Sequence, residues 1–397
     1  MNTVLKSEIG QDIPSEQELI ERARAMGPWL RSRAAEVEAA RCVPADIIEK
    51  FREAGFLRVL QPRRWGGYEM NPSVFFKVLM EVGRGCCSSA WNLMILGVHP
   101  WEFSLFDPRA GDDVWGQDDS VIVASSYAPV GACRKVEGGY VISGRWPTSS
   151  GTDHAEWAIL GAMVPGEEGQ PPVDRIALLV PRSAYTIIDD WQVCGLAGTG
   201  SKSLQVRETF VPDHHTHSLA DYSMSDRGDM YLFPFTQVFN GSVSAVIVGM
   251  AQGAIDLFIE QMGTRRNSGN GKLTSTSPYV KDRLGNAISM VRSSRARLLM
   301  MQIETTPIVE RRELVPLASR VANALDIARV GRECEQAVQS LFKALAARGL
   351  YLENPVQRIV RDVMAAANHI TQNADDSAGI LGGFVMGEQL PPLSYTR

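Results

Sequence analysis

No Cys-x-x-Cys pair occurs anywhere in the chain. Its six cysteines (Cys42, Cys86, Cys87, Cys133, Cys194, Cys334) are scattered apart from one adjacent pair, a poor framework for disulfides or zinc. Buried reduced thiols in the cytoplasm are the expectation. Charge of one sign is also scarce: the net charge is −5, and Arg63-Arg64 and Arg265-Arg266 are isolated pairs. Nucleic acid is therefore not an expected partner, because phosphate binding needs clustered Lys and Arg. No apolar run of membrane-spanning length stands out; the best candidate, Val243–Ile259, contains Gln252 and Asp256. Met1 to Pro14 has no continuous apolar stretch of signal-peptide length. A dinucleotide-binding G-x-G-x-x-G, a G-x-S-x-G elbow and a P-loop are all missing. Hydrolase and phosphotransferase readings thus lack support, and any electrons for redox chemistry would come from elsewhere.

What is there is enough for a large core: 397 residues, 45% hydrophobic and 21% charged. The first section reads as helical. Ser15 and Glu18 form a capping-box signature ahead of Leu19, Ile20, Ala23, Met26 and Leu30 at helical spacing. Pro44 opens a second helix, Asn71-Pro72 a third, and an all-apolar fourth runs from Ser88 towards Gly97, with His99 at its end. Near Trp115 the pattern changes to short Val/Ile/Leu/Tyr segments. Val121–Ser125, Arg134–Val136, Tyr140–Ser143, Trp157–Met163, Ile176–Val180, Tyr185–Ile188 and Leu204–Phe210 are predicted strands, with Gly138-Gly139 as a hairpin turn. Beyond Tyr222 the spacing predicts long helices over Phe239–Met262, Pro278–Gln302, Val315–Ala347 and Asn354–His369. The expected class is α+β: a helical domain (1–115), an antiparallel β domain (116–222) and a four-helix bundle (223–397).

Two runs carry possible chemistry. Trp146-Pro147-Thr148-Ser149-Ser150-Gly151 is expected between strands, where an aromatic, hydroxyls and a glycine suit a flat hydrogen-bonding ligand such as a flavin ring. A polar turn beside a core tryptophan is equally open at this point. Gly195-Leu196-Ala197-Gly198-Thr199-Gly200-Ser201 could converge backbone N–H groups on an anion or ring edge, or simply link two strands. His214, His215 and His217 are dense enough to hold a metal, but no supporting motif accompanies them. An exposed loop without a metal is the expectation.

The helix–β–helix order, these two runs, Gly97-Val98-His99-Pro100-Trp101, Ser125-Ser126-Tyr127-Ala128-Pro129 and Ala366-Ala367-Asn368-His369 together resemble the acyl-CoA dehydrogenase superfamily. Within it, the likeness is to two-component flavin-dependent monooxygenases. The resemblance implies reduced FMN or FAD from a separate NAD(P)H-dependent reductase, O2 as co-substrate, oxygen addition at flavin C4a to give a hydroperoxide, and hydroxylation of a small phenol or indole. It also implies a homotetramer, with flavin between the β domain and the bundle. By the same resemblance Ser150 would bond flavin N5, and His369 would assist near C4a through hydrogen bonding and charge. His99 and Ser125 would hold the substrate hydroxyl. Trp146, Thr148 and Ser149 would line the isoalloxazine, Thr199 and Ser201 would add flavin contacts, and Arg265 would meet a phosphate. An acyl-CoA dehydrogenase is the alternative, as is N- or S-oxygenation. The stretch Asn373–Gly383 has Asp375 and Asp376 but lacks the dehydrogenases' glutamate motif.

Overall fold

The computed structural model describes residues 13–167, 169–220 and 228–390. The expected boundary at 222/223 and most of the Met1–Pro14 stretch lie outside the described residues.

Five helices come first: α1 (Glu16–Ala40), α2 (Ala45–Glu53), α3 (Pro72–Gly85), α4 (Cys87–Glu102) and α5 (Pro108–Trp115). The α1 capping box forms as its spacing predicts, with Ser15 Oγ accepting from the Glu18 N–H and Glu18 returning a bond to the Ser15 N–H. Such a cap contributes about 1 kcal/mol. Helix α4 departs from expectation. It runs through His99 and Pro100 to Glu102, and nearly all of it is buried. A buried, all-apolar helix has no periodic edge to reveal where it stops.

The middle section is a sandwich of two four-stranded sheets. One sheet has the order β1 (Val123–Ser126), β4 (Trp157–Val164), β5 (Asp174–Pro181), β8 (Thr216–Ser218); the other has β2 (Ala132–Val136), β3 (Gly139–Ser149), β7 (Lys202–Pro212), β6 (Tyr185–Ile188). Pairing is antiparallel except between β1 and β4, which run parallel. The β2–β3 register pairs Val136 with Gly139. The turn is therefore Glu137-Gly138, one residue earlier than expected. Strand β3 continues past two irregularities through Ser149, so the Trp146–Ser149 run belongs to a strand rather than to a linker. Ile142, Trp146, Leu160, Leu178 and Leu204 fill the space between the sheets. Phe103, Val114 and Trp115 cover the outer face of the first sheet against Val123, Ile159 and Leu179.

The C-terminal section holds α6 (Phe235–Thr264), α7 (Pro278–Glu310), α8 (Leu317–Leu345), α9 (Pro355–Ala367) and the additional α10 (Ala374–Val385). With 30 residues and a mean hydropathy of 1.7 in its apolar window, α6 is long and apolar enough to cross a membrane, contrary to the sequence expectation. Here 83% of that window is buried, against α3, α4, α7, α8 and α9. It is the central packing helix, apolar all round because neighbours surround it.

Candidate functional site

The end of β3 builds the first half of the site. An irregularity between Trp146 and Ser149, with exposed Thr148 at φ +58°, swings the chain out of the sandwich. Gly151 closes the turn at φ +68°, where an added Cβ would press on Leu96. Between them Ser150 is buried. Its Oγ accepts from Trp91 Nε1 (3.1 Å) and lies 2.6 Å from Ser201 Oγ, which lies 2.6 Å from Thr199 Oγ1. Thr199 donates to the Leu196 carbonyl (2.8 Å), which fixes the direction of the whole row. Ser201 then donates to Thr199, and Ser150 to Ser201. A hydroxyl oxygen accepts two bonds and donates one, so Ser150 keeps one acceptor position open. Beside it, Ser149 Oγ is fully buried without a partner.

Trp91 ties this row to His369, whose ring meets the indole edge-on at 5.6 Å between centroids. His369 stands just past α9 and caps a short helical turn: Nδ1 takes bonds from Thr371 Oγ1 (2.9 Å) and the Thr371 N–H (3.4 Å). The proton must then sit on Nε2. Burial pushes the imidazole down to about 4, so the ring is neutral near pH 7 and a hydrogen-bond donor.

The second half of the site lies along α4. His99 is fully buried, and its Nδ1–H donates to the Ile95 carbonyl, leaving Nε2 as an acceptor with no donor. Burial lowers its basicity, while the Glu102 carboxylate and the Ile95 bond work the other way. Asn92, seven residues earlier on the same helix face, is also fully buried with neither side-chain atom bonded. Tyr127 stacks on His99 at 5.9 Å and 12°, and Phe239 meets it edge-on at 5.7 Å. Ser125 is buried on β1, on the face it shares with Val123 and Ile159.

Buried polar atoms are almost always bonded, so the unpartnered Ser149 on this strand end and Asn92 and His99 on one helix face point to a ligand here. A reduced flavin ring edge, which offers the N5 N–H, fits the open acceptor on Ser150; a phenol O–H fits His99 Nε2. Asn92 and Trp91 escaped sequence analysis, because they sit in a helix whose apolar character hides individual residues. Tyr127 was quoted only within the Ser125–Pro129 run and given no role of its own.

Two expectations need correction, those for Trp146 and the histidine run, while Arg265 stands apart from the Ser150–His369 cluster. Trp146 does not line the ring site: it is fully buried inside the sandwich, and its indole N–H donates to the Gly161 carbonyl (2.8 Å). Arg265 ends α6 and donates to the Leu345 carbonyl (3.1 Å). One turn before it, Gln261 bonds Asn354 at the start of α9, so Arg265 lies at the far end of that helix from His369. The histidine run is not an exposed loop, because His215 and His217 are buried and β8 begins within it. Asp113 Oδ2 accepts from His214 (3.0 Å) and His215 (2.9 Å), a cluster of metal-ligand type that ties α5 to the sheet. His217 turns away to Glu102.

The N-terminal domain model of acyl-CoA dehydrogenase matches residues 14–101, and the C-terminal domain model matches 242–374. The chain is 36% identical over 364 residues to the flavin-dependent monooxygenase oxygenase subunit HsaA of Rhodococcus jostii, covering 90% of this chain and 95% of that one. It is 29% identical to the oxygenase component of the FADH2-dependent resorcinol hydroxylase of a Rhizobium species, over 93% and 94% of the two chains. The crystal structure of 3-HSA hydroxylase from Rhodococcus sp. RHA1 superposes with a TM-score of 0.90 at 35% identity, covering 95% of this chain and 98% of the other. The chain belongs to the acyl-CoA dehydrogenase family, in its branch of flavin-dependent monooxygenases.

Proposed function

We propose that this chain is the oxygenase component of a two-component system that hydroxylates a small phenol, using reduced flavin delivered by a separate NAD(P)H-dependent reductase. The observation that carries the substrate reading is His99: a buried imidazole whose Nε2 accepts but has nothing to accept from. A phenol O–H supplies the missing donor and is acidic enough to pass its proton to the imidazole. An indole N–H donates a bond but is far too weak an acid to be deprotonated there. FAD is the flavin to try first, because the resorcinol hydroxylase relative is FADH2-dependent by name; FMN stays open. A homotetramer and a cytoplasmic location are part of the same reading, the latter supported by six unpaired cysteines.

The bound flavin supplies the activated oxygen. Trp91 and Ser201 hold Ser150 with one acceptor position open, which would take the flavin N5–H and keep that proton in place. His369, neutral and capped through Nδ1, presents an Nε2–H donor beside Trp91. His99 takes the phenol proton, which makes the ring carbons ortho and para to the oxygen more nucleophilic. The aromatic wall of Tyr127 and Phe239 excludes water from that exchange.

The test mixes the protein with anaerobically reduced FAD or FMN, resorcinol or p-hydroxyphenylacetate, and oxygen, and quantifies hydroxylated product against hydrogen peroxide. Product from either phenol, lost roughly 100-fold in His99→Ala, is the expected result. Peroxide alone with every combination of flavin and phenol overturns the reading.

A further inference from the structure

Behind His99 lies a second buried polar group. Glu102 is fully buried, three residues beyond His99 on α4, and therefore on the same helix face. Both of its carboxylate oxygens are engaged. Oε1 accepts from His217 Nε2 on β8 (2.8 Å), and Oε2 accepts from the Tyr127 hydroxyl. Tyr127 in turn lays its ring flat against the His99 imidazole. Three elements far apart in sequence thus meet on one carboxylate directly beside the orphan imidazole.

A buried carboxylate is costly unless its bonds are satisfied, and here both bonds come from outside α4. Phe106 meets His217 edge-on at 4.5 Å, and Phe103 and Trp115 pack in the adjoining apolar cluster. The titratable groups that face His99 are Glu102 from its own helix and Tyr127 from the end of β1, with His217 behind Glu102; α6 presents the ring of Phe239.

We propose that Glu102, clamped by Tyr127 and His217, is a positioning residue that orients His99 and balances the charge His99 gains during turnover. When a phenol binds, its O–H bond breaks and an Nε2–H bond forms on His99; the electron pair stays on the phenol oxygen, so a phenolate and an imidazolium replace two neutral groups. In a buried site that imidazolium needs an anion close by and held still. Glu102 is held for it, and stacked Tyr127 links the carboxylate to the ring whose tilt it fixes. This inference rests on the proposed role of His99 as the group that accepts the phenol proton.

The test compares wild type, Glu102→Gln and Tyr127→Phe with resorcinol or p-hydroxyphenylacetate, whichever turns over, and with its ring-monofluorinated analogue. Fluorine makes the hydroxyl more acidic and so less dependent on a strong base. Glu102→Gln should lower product kcat roughly tenfold with the natural phenol, with KM changed far less and peroxide rising as product falls. The loss should shrink with the fluorinated phenol, since a damaged fold would lower both alike. Tyr127→Phe keeps the stacked ring but removes the hydroxyl, and should show the same pattern more weakly if Glu102→Gln does not fold. Should His99→Ala abolish hydroxylation while both variants match wild type on both phenols, this inference fails alone. An equal loss on the two phenols also overturns it, by assigning Glu102 a purely structural part. A wild-type chain that hydroxylates neither phenol removes the functional reading and this inference together.

Discussion

At the scale of single residues, the site rests on hydrogen-bond direction. The Thr199 bond to a carbonyl forces every hydroxyl upstream to point one way, and only this leaves Ser150 an open acceptor. Ser150→Ala should therefore retain reduced-flavin binding within a few-fold yet release more peroxide per product, read as the coupling ratio of a single turnover. Trp91→Phe should move the same ratio in the same direction, because it removes the donor that holds Ser150 while keeping an aromatic wall; unchanged coupling in both would sink the N5 assignment. Ser150, Ser149, His99 and His369 came to notice through the family resemblance; the residues alone left a polar turn and helix caps equally open. Trp91, Asn92 and Glu102 did not. They lie in a helix buried on every side, where a functional side chain looks like any other core position. Trp146 shows the reverse error, since a tryptophan beside serines reads as a ligand contact until its burial inside the sandwich is known.

At the scale of elements, the glycine-rich loop joins the β sandwich to α9. Gly195 lies so close to α9 that a Cβ would fall 2.1 Å from the Arg361 carbonyl oxygen. The Leu196 N–H donates to Asp362 Oδ1 (2.6 Å), and burial pushes that carboxyl up to about 6, against the opposing effect of this bond. The sign follows from linkage: the folded chain holds this proton more tightly than the unfolded one, so stability falls as pH rises from about 4 to about 6 and then levels off. Asp362→Asn keeps an acceptor for Leu196 but cannot ionise. Denaturant unfolding should find the variant more stable at pH 7 by on the order of 2 kcal/mol, with the difference vanishing near pH 4. A constant difference across that range would point to packing instead of charge. None of this was legible beforehand: the loop's glycines left anion or ring-edge binding and a plain link between strands both open, whereas close approach to α9 explains at least Gly195. Short elements were the other blind spot. Eight-residue α5 and three-residue β8 are too brief for periodicity to register, while α6, α7 and α8 were long enough to be read as helices.

For the whole molecule, the order of helices, sandwich and helices was readable because each section has its own hydrophobic period, and the family resemblance covered the same span. The surface was not readable, since exposure depends on how the helices close. On the finished fold, Ile370, Val385 and Met386 stand 85%, 75% and 84% exposed around α10, and Met300 and Ile303 protrude from α7. Fully burying one such side chain contributes roughly 1.5–3 kcal/mol, so a second copy covering the α10 end would be well supported, as the proposed tetramer requires. Ile370 directly follows His369 and belongs to the turn that His369 caps. Covering this end would therefore also steady the His369 imidazole. Light scattering on the purified protein should give four times the mass of one chain. The double variant Val385→Asp/Met386→Asp should give a smaller assembly, and its product-to-peroxide ratio should fall because the His369 turn loosens. A smaller assembly with full coupling would separate oligomerisation from catalysis. An unchanged mass would place the contacts on another face.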